Sequence, residues 1–486
     1  NKKLYIFTGA SWVGVGLVDQ KPNFTTTPDG SYALSPGADT LITLAATDPQ
    51  GDPITYSYQV TAGALGGTTV SQSGNVFTIT GSTNPADTAA FSISFTASDG
   101  TNLTTTTPSE FTVQFAVPPQ IVVGAHHHNS LGAAYVYNSN NLSAAPTKLT
   151  PPDGPDGMYF GQGVAATSDI IVIGAPGDDH DGYGSGSIRI YDATDLSAAP
   201  TEIRAGGVNG GANHSYGFAV AISSSRIFVS AYGGRKVYVY GSSGNYLFEG
   251  VISKDEHLFG VQIAANDDII AIGSPSENTG IGKVHIYDSS TLNLITSLSH
   301  YDTSHNDNFG RGVAVSSDYI VVGAPLNDGA DNTNVDDNTG SVYVYNATTR
   351  TPLTTSEGGG KLVLPDLQGN ARFGNSVAIS GDKIIVSAWL YDTAAGGNSG
   401  AVYVYDATDL YAAPTELLHP NDVAGSRFGL GLSATDDKIL IGCHLENSAQ
   451  GAIYVYDANN LSASPTRLEA PDGAAGDNLG YRVSIG

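Results

Sequence analysis

Three consecutive histidines, His126, His127 and His128, are the residues whose type and spacing point most directly to chemistry. Imidazole nitrogens suit zinc, copper, iron or nickel. When the repeats of the chain are aligned, His444 takes the same place as His126, in the repeat that would neighbour it. These residues suggest a transition-metal site built from His126, His128 and His444, although such sites normally use three or more well-placed ligands. The alternative, which the pattern favours, is a polar loop that binds no metal.

Two acidic loops form a second candidate site. Carboxylate oxygens clustered around a glycine turn suit Ca²⁺, so these loops could bind calcium. The alternative is solvated charge that keeps an acidic protein soluble, and the composition favours it. Neither interpretation makes a cofactor necessary for folding or function. The acidic residues concerned are Asp178, Asp179 and Asp181 in the first loop, and Asp328, Asp331 and Asp336 in the second.

The loops that carry these residues also carry aromatic side chains. The place held by His126 is held by Tyr232, Trp389 and His444 in other repeats. Rings presented by loops of variable length on a rigid scaffold suit a saccharide or a neighbouring protein subunit. The sequence therefore predicts a partner-binding face that contains Tyr232, Trp389, His126 and His444.

A repeat that begins near residue 120 must position these loops. An aromatic–Gly or Leu–Gly pair recurs at roughly the spacing of propeller blades, about 40–50 residues. Each pair precedes a short strand, a buried strand and a third strand that alternates β-branched and aromatic residues. A fourth, outer strand is predicted within residues 191–202 and their counterparts. The pairs begin at Phe160, Tyr216, Phe259, Phe309, Phe373, Phe428 and Leu479.

The order of the strands predicts how the repeats are joined. A second strand and a third strand, at Ile121 and Tyr135, come before any first strand, whereas the last first strand, Leu479 to Ile485, has no second strand after it. Pairing the two ends gives seven complete repeats and removes two exposed sheet edges. The sequence thus predicts an all-β protein with a hairpin (1–18), a β-sandwich (19–118) and a seven-bladed β-propeller (119–486) that is closed by the C-terminal strand.

The motifs carry a resemblance to known families. Phe160-Gly161 followed by Gly174-Ala175-Pro176 resembles the FG-GAP repeat of integrin-alpha-type propellers, which implies the fold but little about function. The family's calcium loop between the first two strands has no room here, so that site is not carried over. The segment ATDPQGDPITY at 46–56 resembles a cadherin/Ig-like sandwich. Together with LYIFTGASW at 4–12 and YDATDLSAAPTE at 191–202, it resembles virion structural proteins of tailed phages of marine cyanobacteria, which implies a fibre, neck or tail appendage.

Charge and composition exclude several functions. Acidic residues outnumber basic ones 46 to 20, and a net charge of −26 repels nucleic acid and anionic membrane surfaces. No Gly-x-Ser-x-Gly elbow or sialidase box is present, so we expect no enzymatic activity.

The expected function is that of a virion structural or adhesion protein, extracellular on the particle. Its expected partners are other virion or surface-assembly proteins, a host-surface glycan, or further copies of the chain. Two alternatives remain open, a secreted bacterial adhesin or matrix protein at the cell surface, and a glycan-processing propeller enzyme.

Overall fold

The computed structural model describes the chain except for residues 1–2, 8–10, 17–18, 29, 83, 85–86, 88, 114–118, 152–157, 205–213, 244, 301–305, 329–337, 356–359 and 395. The chain divides into two compact units, Asn1–Ala116 and Val117–Gly486. Strands account for 49% of the protein and helices for 2%. No helix in the described ranges has the length and apolar character needed to cross a membrane. The predicted all-β class is confirmed.

The N-terminal unit begins with a two-stranded antiparallel sheet that pairs Phe7 with Trp12. The other sheets in its described residues have five, three and two strands, in the orders β11-β10-β12-β4 with β7 also on β10, β5-β9-β8, and β3-β6. The strands are β1 (Lys3–Phe7), β2 (Trp12–Gly16), β3 (Asn23–Thr26), β4 (Ser31–Leu34), β5 (Asp39–Thr43), β6 (Ala45–Thr47), β7 (Thr55–Ala62), β8 (Thr69–Ser73), β9 (Val76–Thr80), β10 (Phe91–Ser98), β11 (Leu103–Thr105) and β12 (Ser109–Val113).

Apolar side chains from the five-stranded and three-stranded sheets share one core in this unit. Alternate residues of β9 and β10 point inward, which is the period of two expected for strands that are half buried. Phe77 of β9 meets Phe95 of β10 edge-on, with the ring centroids 4.9 Å apart. Phe91 stacks on Phe111 of β12 at 5.6 Å. Two sheets packed on an aromatic core hold this unit together.

Within its described residues, the C-terminal unit has seven four-stranded antiparallel sheets, numbered here in chain order. Their strands are β13 (Gln120–Ala125), β14 (Ala133–Asn138), β15 (Thr147–Leu149); β16 (Gly163–Ala166), β17 (Ile170–Ala175), β18 (Ser187–Asp192), β19 (Thr201–Arg204); β20 (Tyr216–Ile222), β21 (Arg226–Ala231), β22 (Lys236–Gly241), β23 (Phe248–Ser253); β24 (Ile263–Ala265), β25 (Ile269–Ser274), β26 (Lys283–Asp288), β27 (Leu294–Leu298); β28 (Gly312–Val315), β29 (Tyr319–Ala324), β30 (Ser341–Asn346), β31 (Lys361–Val363); β32 (Phe373–Ser380), β33 (Lys383–Ala388), β34 (Ala401–Asp406), β35 (Thr415–Leu418); β36 (Leu432–Ala434), β37 (Lys438–Cys443), β38 (Ala452–Asp457), β39 (Thr466–Leu468); and β40 (Val483–Ile485).

The first sheet combines strands from both ends of this unit. Strand β40 pairs with β13, so that Ile121 lies opposite Ile485 and Val123 lies opposite Val483. The sheet order is therefore β15-β14-β13-β40, and none of the sheets in the described ranges closes on itself. In the described part of this unit, short helical turns lie at His128–Ser130, Tyr232–Gly234 and Glu446–Ala449.

Each hydrophobic core of the C-terminal unit lies between two successive sheets. The second and third strands are buried along almost their whole length because both of their faces are covered. Apolar clusters join sheets 1 and 2, 2 and 3, and so on to 6 and 7. A seventh cluster joins sheets 7 and 1, with Leu440 and Ile453 packed beside Ile121 and Ile485. The first and last sheets are thus packed like any other pair.

Two glycines meet at most junctions between sheets, and this contact explains the repeated motif. The glycine of each aromatic–Gly or Leu–Gly pair has a positive φ of 84° to 106°, which a side chain would strain. Its carbonyl abuts the glycine near the end of the second strand of the preceding sheet, where an added Cβ would fall well inside 3.0 Å. The glycine pairs of this kind are Gly124 with Gly161, Gly174 with Gly217, Gly273 with Gly310, Gly323 with Gly374, and Gly442 with Gly480.

Polar contacts also join the first sheet to the segment that follows β39. Lys148 Nζ lies 2.6 Å from Asp472 Oδ2, and the Tyr135 hydroxyl donates to Asp472 Oδ1 at 2.6 Å. His128 Nδ1 lies 2.8 Å from Asp477 Oδ2. The ammonium group of Lys148 and the Tyr135 hydroxyl lower the pKa of Asp472 to about 2.

This contact predicts an acid-dependent loss of stability. The pKa of Asp472 in the folded state lies below its ordinary 3.8, so its stabilisation is present above about pH 4 and is lost as the pH falls towards 2. For a half-exposed ion pair we expect roughly 1 kcal/mol or less, so Asp472→Asn should lower the melting temperature at pH 7 by roughly 1–3 °C. Thermal melts should show this difference shrinking between pH 5 and pH 2. Asp181→Asn, at an exposed aspartate, is the control, and a difference that stays constant with pH would contradict the prediction.

Candidate binding pocket

A pocket of about 630 Å³ opens where the loops after the second strands of sheets 1, 2 and 3 meet. These loops follow strands that are paired on both sides within the sheets, so a rigid scaffold positions the side chains of the pocket. Six ring-bearing residues and three polar ones form most of its lining: His126, His127, Tyr159, Tyr183, Phe218, Tyr232, Gln162, Asp179 and Ser215. Rings beside a few hydrogen-bonding groups are typical of a small-molecule or saccharide site.

His126 is a buried residue in the lining of this pocket. Its side chain is 6% exposed, and its Nδ1 has no hydrogen-bond partner among the described residues. Its ring lies 4.3 Å from that of His127 and 4.6 Å from that of Tyr481. Burial, reinforced by His127, lowers the pKa of His126 to about 3, so the imidazole is neutral at pH 7. A neutral imidazole with an unpaired nitrogen can exchange a hydrogen bond with a ligand hydroxyl.

Four of the pocket's ring-bearing residues contact one another in pairs. Tyr232 packs on Phe218 with a centroid distance of 4.5 Å, and Tyr159 meets His127 edge-on at 5.4 Å. Tyr183 also lines the pocket and is 75% exposed. Such a large exposed ring beside a cavity leaves apolar surface for a ligand to cover.

The structure brings some of the predicted residues together and separates others. His126 and Tyr232 line the same pocket. His444 does not line it, but its ring and that of His126 both contact Tyr481, at 5.5 Å and 4.6 Å. Trp389, in sheet 6, is covered by the Arg427 guanidinium at 4.8 Å from the ring centroid and is also outside the pocket.

The proposed histidine metal ligands do not converge. His128 is buried, and its ring nitrogens lie within hydrogen-bond distance of Asp477, Asn129 and Lys148 rather than of His126. Burial lowers the pKa of His444 to about 4. Within the described ranges, the group of three possible ligand side chains that does converge is His419, Cys443 and Glu446.

That converging group is already satisfied by protein partners. Glu446 receives hydrogen bonds from the Tyr454 hydroxyl at 2.9 Å and from Arg467 Nε at 3.0 Å, and it lies 3.3 Å from His419 Nε2. Burial raises the pKa of the Cys443 thiol well above its ordinary value, which disfavours the thiolate that a metal needs. The group therefore forms a buried polar network that joins the segment after the outer strand of sheet 6, which holds His419, to sheet 7.

The acidic loops have a structural rather than a ligand-binding geometry where they are described. Asp178 is 1% exposed, and its oxygens accept hydrogen bonds from Ser187 Oγ at 2.5 Å and from the His180 amide at 3.0 Å. Although burial alone would raise its pKa, these hydrogen bonds hold the pKa of Asp178 below its ordinary value. Asp178 thus fastens its loop to the third strand.

The remaining acidic residues are dispersed. Asp179 lines the pocket, and its Oδ1 accepts a hydrogen bond from the Gly184 amide at 2.5 Å. Asp181 is exposed. Asp328 is buried. Asp331 and Asp336 lie outside the described residues.

A repeated polar anchor is a feature that the sequence analysis missed. The third residue after the second strand of a sheet turns inward and bonds to the third strand, as Asp178 does with Ser187. In sheet 4, Glu277 binds Lys283 and His285 at 2.8 Å each, and in sheet 7 Glu446 binds Tyr454. The side chain at this position differs between repeats, so alignment by residue type alone does not reveal it.

Comparison with known families agrees with the repeat pattern. A family model described as FG-GAP repeat matches residues 146–191, 294–345 and 359–405. The prediction of FG-GAP, propeller-type repeats is therefore confirmed. No curated protein matches the chain.

Among solved structures, the β-propeller domain of the Trilobed protease from Pyrococcus furiosus is 13% identical over 63% of this chain and 81% of that one, with a TM-score of 0.38. The tandem Ig repeats of Dlar are 17% identical over 19% of this chain and 48% of that one, with a TM-score of 0.16. Drosophila N-cadherin EC1-3 is 15% identical over 20% of this chain and 35% of that one, with a TM-score of 0.17. The chain thus spans less than half of the last two structures.

Proposed function

We propose that the protein is a non-enzymatic adhesion component of a virion, in which a seven-bladed propeller presents a saccharide-binding pocket. The observation that carries this proposal is the pocket of about 630 Å³ whose lining combines exposed tyrosines with the buried, unpaired Nδ1 of His126. The N-terminal unit would attach the chain to other particle proteins. The extracellular, virion location rests on the resemblance of the motifs at 4–12, 46–56 and 191–202 to phage appendage proteins.

The propeller geometry is part of the proposal. In it, the seven sheets are blades of one ring and β40 completes the first blade. The core shared by sheets 7 and 1 supports this arrangement, because it matches the cores at the six other junctions. The contact between Gly442 and Gly480 supports it as well, since it repeats the contact between Gly323 and Gly374.

The chemistry of the pocket favours a neutral saccharide. Tyrosine rings stack on the apolar faces of sugars, while Gln162, Ser215 and the neutral imidazole of His126 can exchange hydrogen bonds with hydroxyl groups. Asp179 adds a negative charge, and the whole chain carries −26, so anionic glycans are repelled.

Binding rather than hydrolysis is favoured by the number of carboxylates. Glycosidases usually place two carboxyl groups on either side of the scissile bond. Asp179 is the single carboxylate in the described lining of the pocket. A pocket with one carboxylate can orient a sugar without supplying both an acid and a base.

Substitution of two tyrosines in the lining of the pocket tests this function. On an array of neutral and sulfated oligosaccharides, we expect the wild type to retain neutral members. Tyr183→Ala and Tyr232→Ala should each weaken the binding of the same members about 10-fold or more, a loss of roughly 1.4 kcal/mol. Isothermal titration calorimetry with the best-bound oligosaccharide measures that change.

The control is Tyr411→Ala, because Tyr411 is a comparably exposed tyrosine, 62% exposed, outside the pocket. The Tyr411→Ala variant should bind the oligosaccharide with the affinity of the wild type. All three variants should melt within a few degrees of the wild type. Tyr183 and Tyr232 variants that bind as well as the Tyr411 variant would refute the assignment of this pocket. Mass spectrometry of purified phage particles tests the virion location separately, since peptides of the chain should be present there.

A further inference from the structure

Two small cavities lie among the first strands of the seven sheets, and Phe218 lines both the larger of them and the candidate binding pocket. The larger, of about 80 Å³, is lined by residues in or beside the first strands of six sheets. The smaller, of about 20 Å³, shares Ser376 and Arg482 with it and adds Arg311, which precedes the first strand of sheet 5. Side chains from all seven sheets therefore surround this space.

Two guanidinium groups enter this space without a carboxylate. Neither Arg311 nor Arg482 forms an ion pair with any described residue, although the chain has 46 acidic residues for 20 basic ones. Other arginines do form ion pairs, for example Arg189 with Glu202 at 2.9 Å and Arg467 with Glu446 at 3.0 Å. Among the described residues, no Asp or Glu lines either cavity.

The surroundings of Arg482 leave donors available. Its Nη1 donates to Gln262 Oε1 at 3.2 Å, and its guanidinium lies 5.8 Å from the Tyr481 ring centroid. Burial lowers the pKa of Arg482, and the charge of Arg311 lowers it further. A guanidinium remains protonated in proteins, so two positive charges persist side by side.

We propose that this space binds a small tetrahedral oxyanion, sulfate or phosphate, between Arg482 and Arg311. A guanidinium presents a planar fork of donors that matches two oxygens of such an anion. Ser376 lines both cavities and supplies a hydroxyl donor, and Asn375 lines the smaller one with an amide. The anion offsets the repulsion between the two arginines, and the narrow cavity admits an ion but no larger organic ligand.

Calorimetric titration tests the site. Sodium sulfate and sodium phosphate are titrated separately into the full chain, with chloride adjusted to keep the ionic strength constant. We expect binding of one anion per chain in the wild type, and a loss of affinity of at least 10-fold in Arg482→Gln. Arg427→Gln is the matched control, because that arginine covers Trp389 outside the cavity. It should bind the anion like the wild type.

A second variant distinguishes loss of the anion site from misfolding of the Arg482→Gln variant. Arg311 is half-buried in the lining of the smaller cavity, so Arg311→Gln should fold and should also lose affinity at least 10-fold. In crystals soaked with selenate, an anomalous peak is expected beside Arg482. Absence of measurable binding in the wild type, or equal affinity in Arg311→Gln and Arg427→Gln, would overturn the proposal, whether or not the aromatic pocket binds saccharides.

Discussion

The double substitution Val483→Asp and Ile485→Asp is expected to unfold or aggregate much of the C-terminal unit. Both side chains are 8% exposed and pack in the core between sheets 7 and 1. Replacing one buried aliphatic side chain usually costs about 2–5 kcal/mol, and burying an unpaired carboxylate adds to that cost. We expect a loss of at least ~5 kcal/mol and a fall in melting temperature of roughly 10 °C or more. Circular dichroism melts and size-exclusion chromatography measure both effects.

The loss of stability should exceed the contribution of the direct contacts of β40, because this strand also covers an edge of the first sheet. Without β40, β13 exposes its free hydrogen-bonding groups, and unpaired strand edges promote association between chains. Ile485→Val is the control, since it keeps an apolar side chain and should cost only about 0.5–1.5 kcal/mol. A double variant that melts as a monomer at the wild-type temperature would show that β40 does not hold the first and seventh sheets together.

Much of the fold could be predicted because the strand pattern repeats. The alternation in segments such as Val342-Tyr343-Val344-Tyr345 requires a strand with two covered faces, and the structure places all four of these residues in the core. The outer strand was predicted less well. Strand β19 begins at Thr201, so most of residues 191–202 form turns instead.

Those turns have a local cause that the strand interpretation overlooked. Asp192 Oδ1 accepts hydrogen bonds from the amide and the hydroxyl of Thr194, and Asp195 does the same for Ser197. Aspartate side chains that bond the backbone two residues later favour turns over strands. The segment at 191–202 therefore forms turns over most of its length, and its Pro200 directly precedes strand β19.

The binding pocket could be predicted only in part. Repeat alignment places His126 and Tyr232 at equivalent positions, and sheets 1 and 3 bring both to one pocket. Tyr159 and Tyr183 have no repeated counterpart, so alignment gives them no signal. For Asp178 the sequence suggested a ligand where the structure has none. Its acidic loop resembles a calcium site in sequence, but its carboxylate accepts a hydrogen bond from Ser187 and holds the loop to the third strand. Proximity between loops depends on how the sheets pack, which a single strand pattern does not encode.

The junction between sheets 5 and 6 provides the second large effect. The Gly323 backbone touches the carbonyl of Gly374, the glycine of the next aromatic–Gly pair. Gly323 has an ordinary strand conformation, so alanine would meet no backbone strain, only the Gly374 carbonyl in the adjacent sheet. Because backbone cannot rotate away as a side chain can, Gly323→Ala must push the two sheets apart.

We therefore expect Gly323→Ala to destabilise the protein by about 3 kcal/mol or more, at the upper end of the usual cost of overpacking a core. Gly241→Ala is the matched control, since Gly241 also ends a strand but an added methyl would meet only the flexible Glu249 side chain. Chemical denaturation should show a large loss for the first variant and none, or a slight gain, for the second. In the third and sixth sheets the equivalent positions are Ser230 and Ser387, so these two junctions accommodate a small side chain. If Gly323→Ala is as stable as Gly241→Ala, the glycine contact does not hold the sheets at their spacing, and the repeated motif must have another cause.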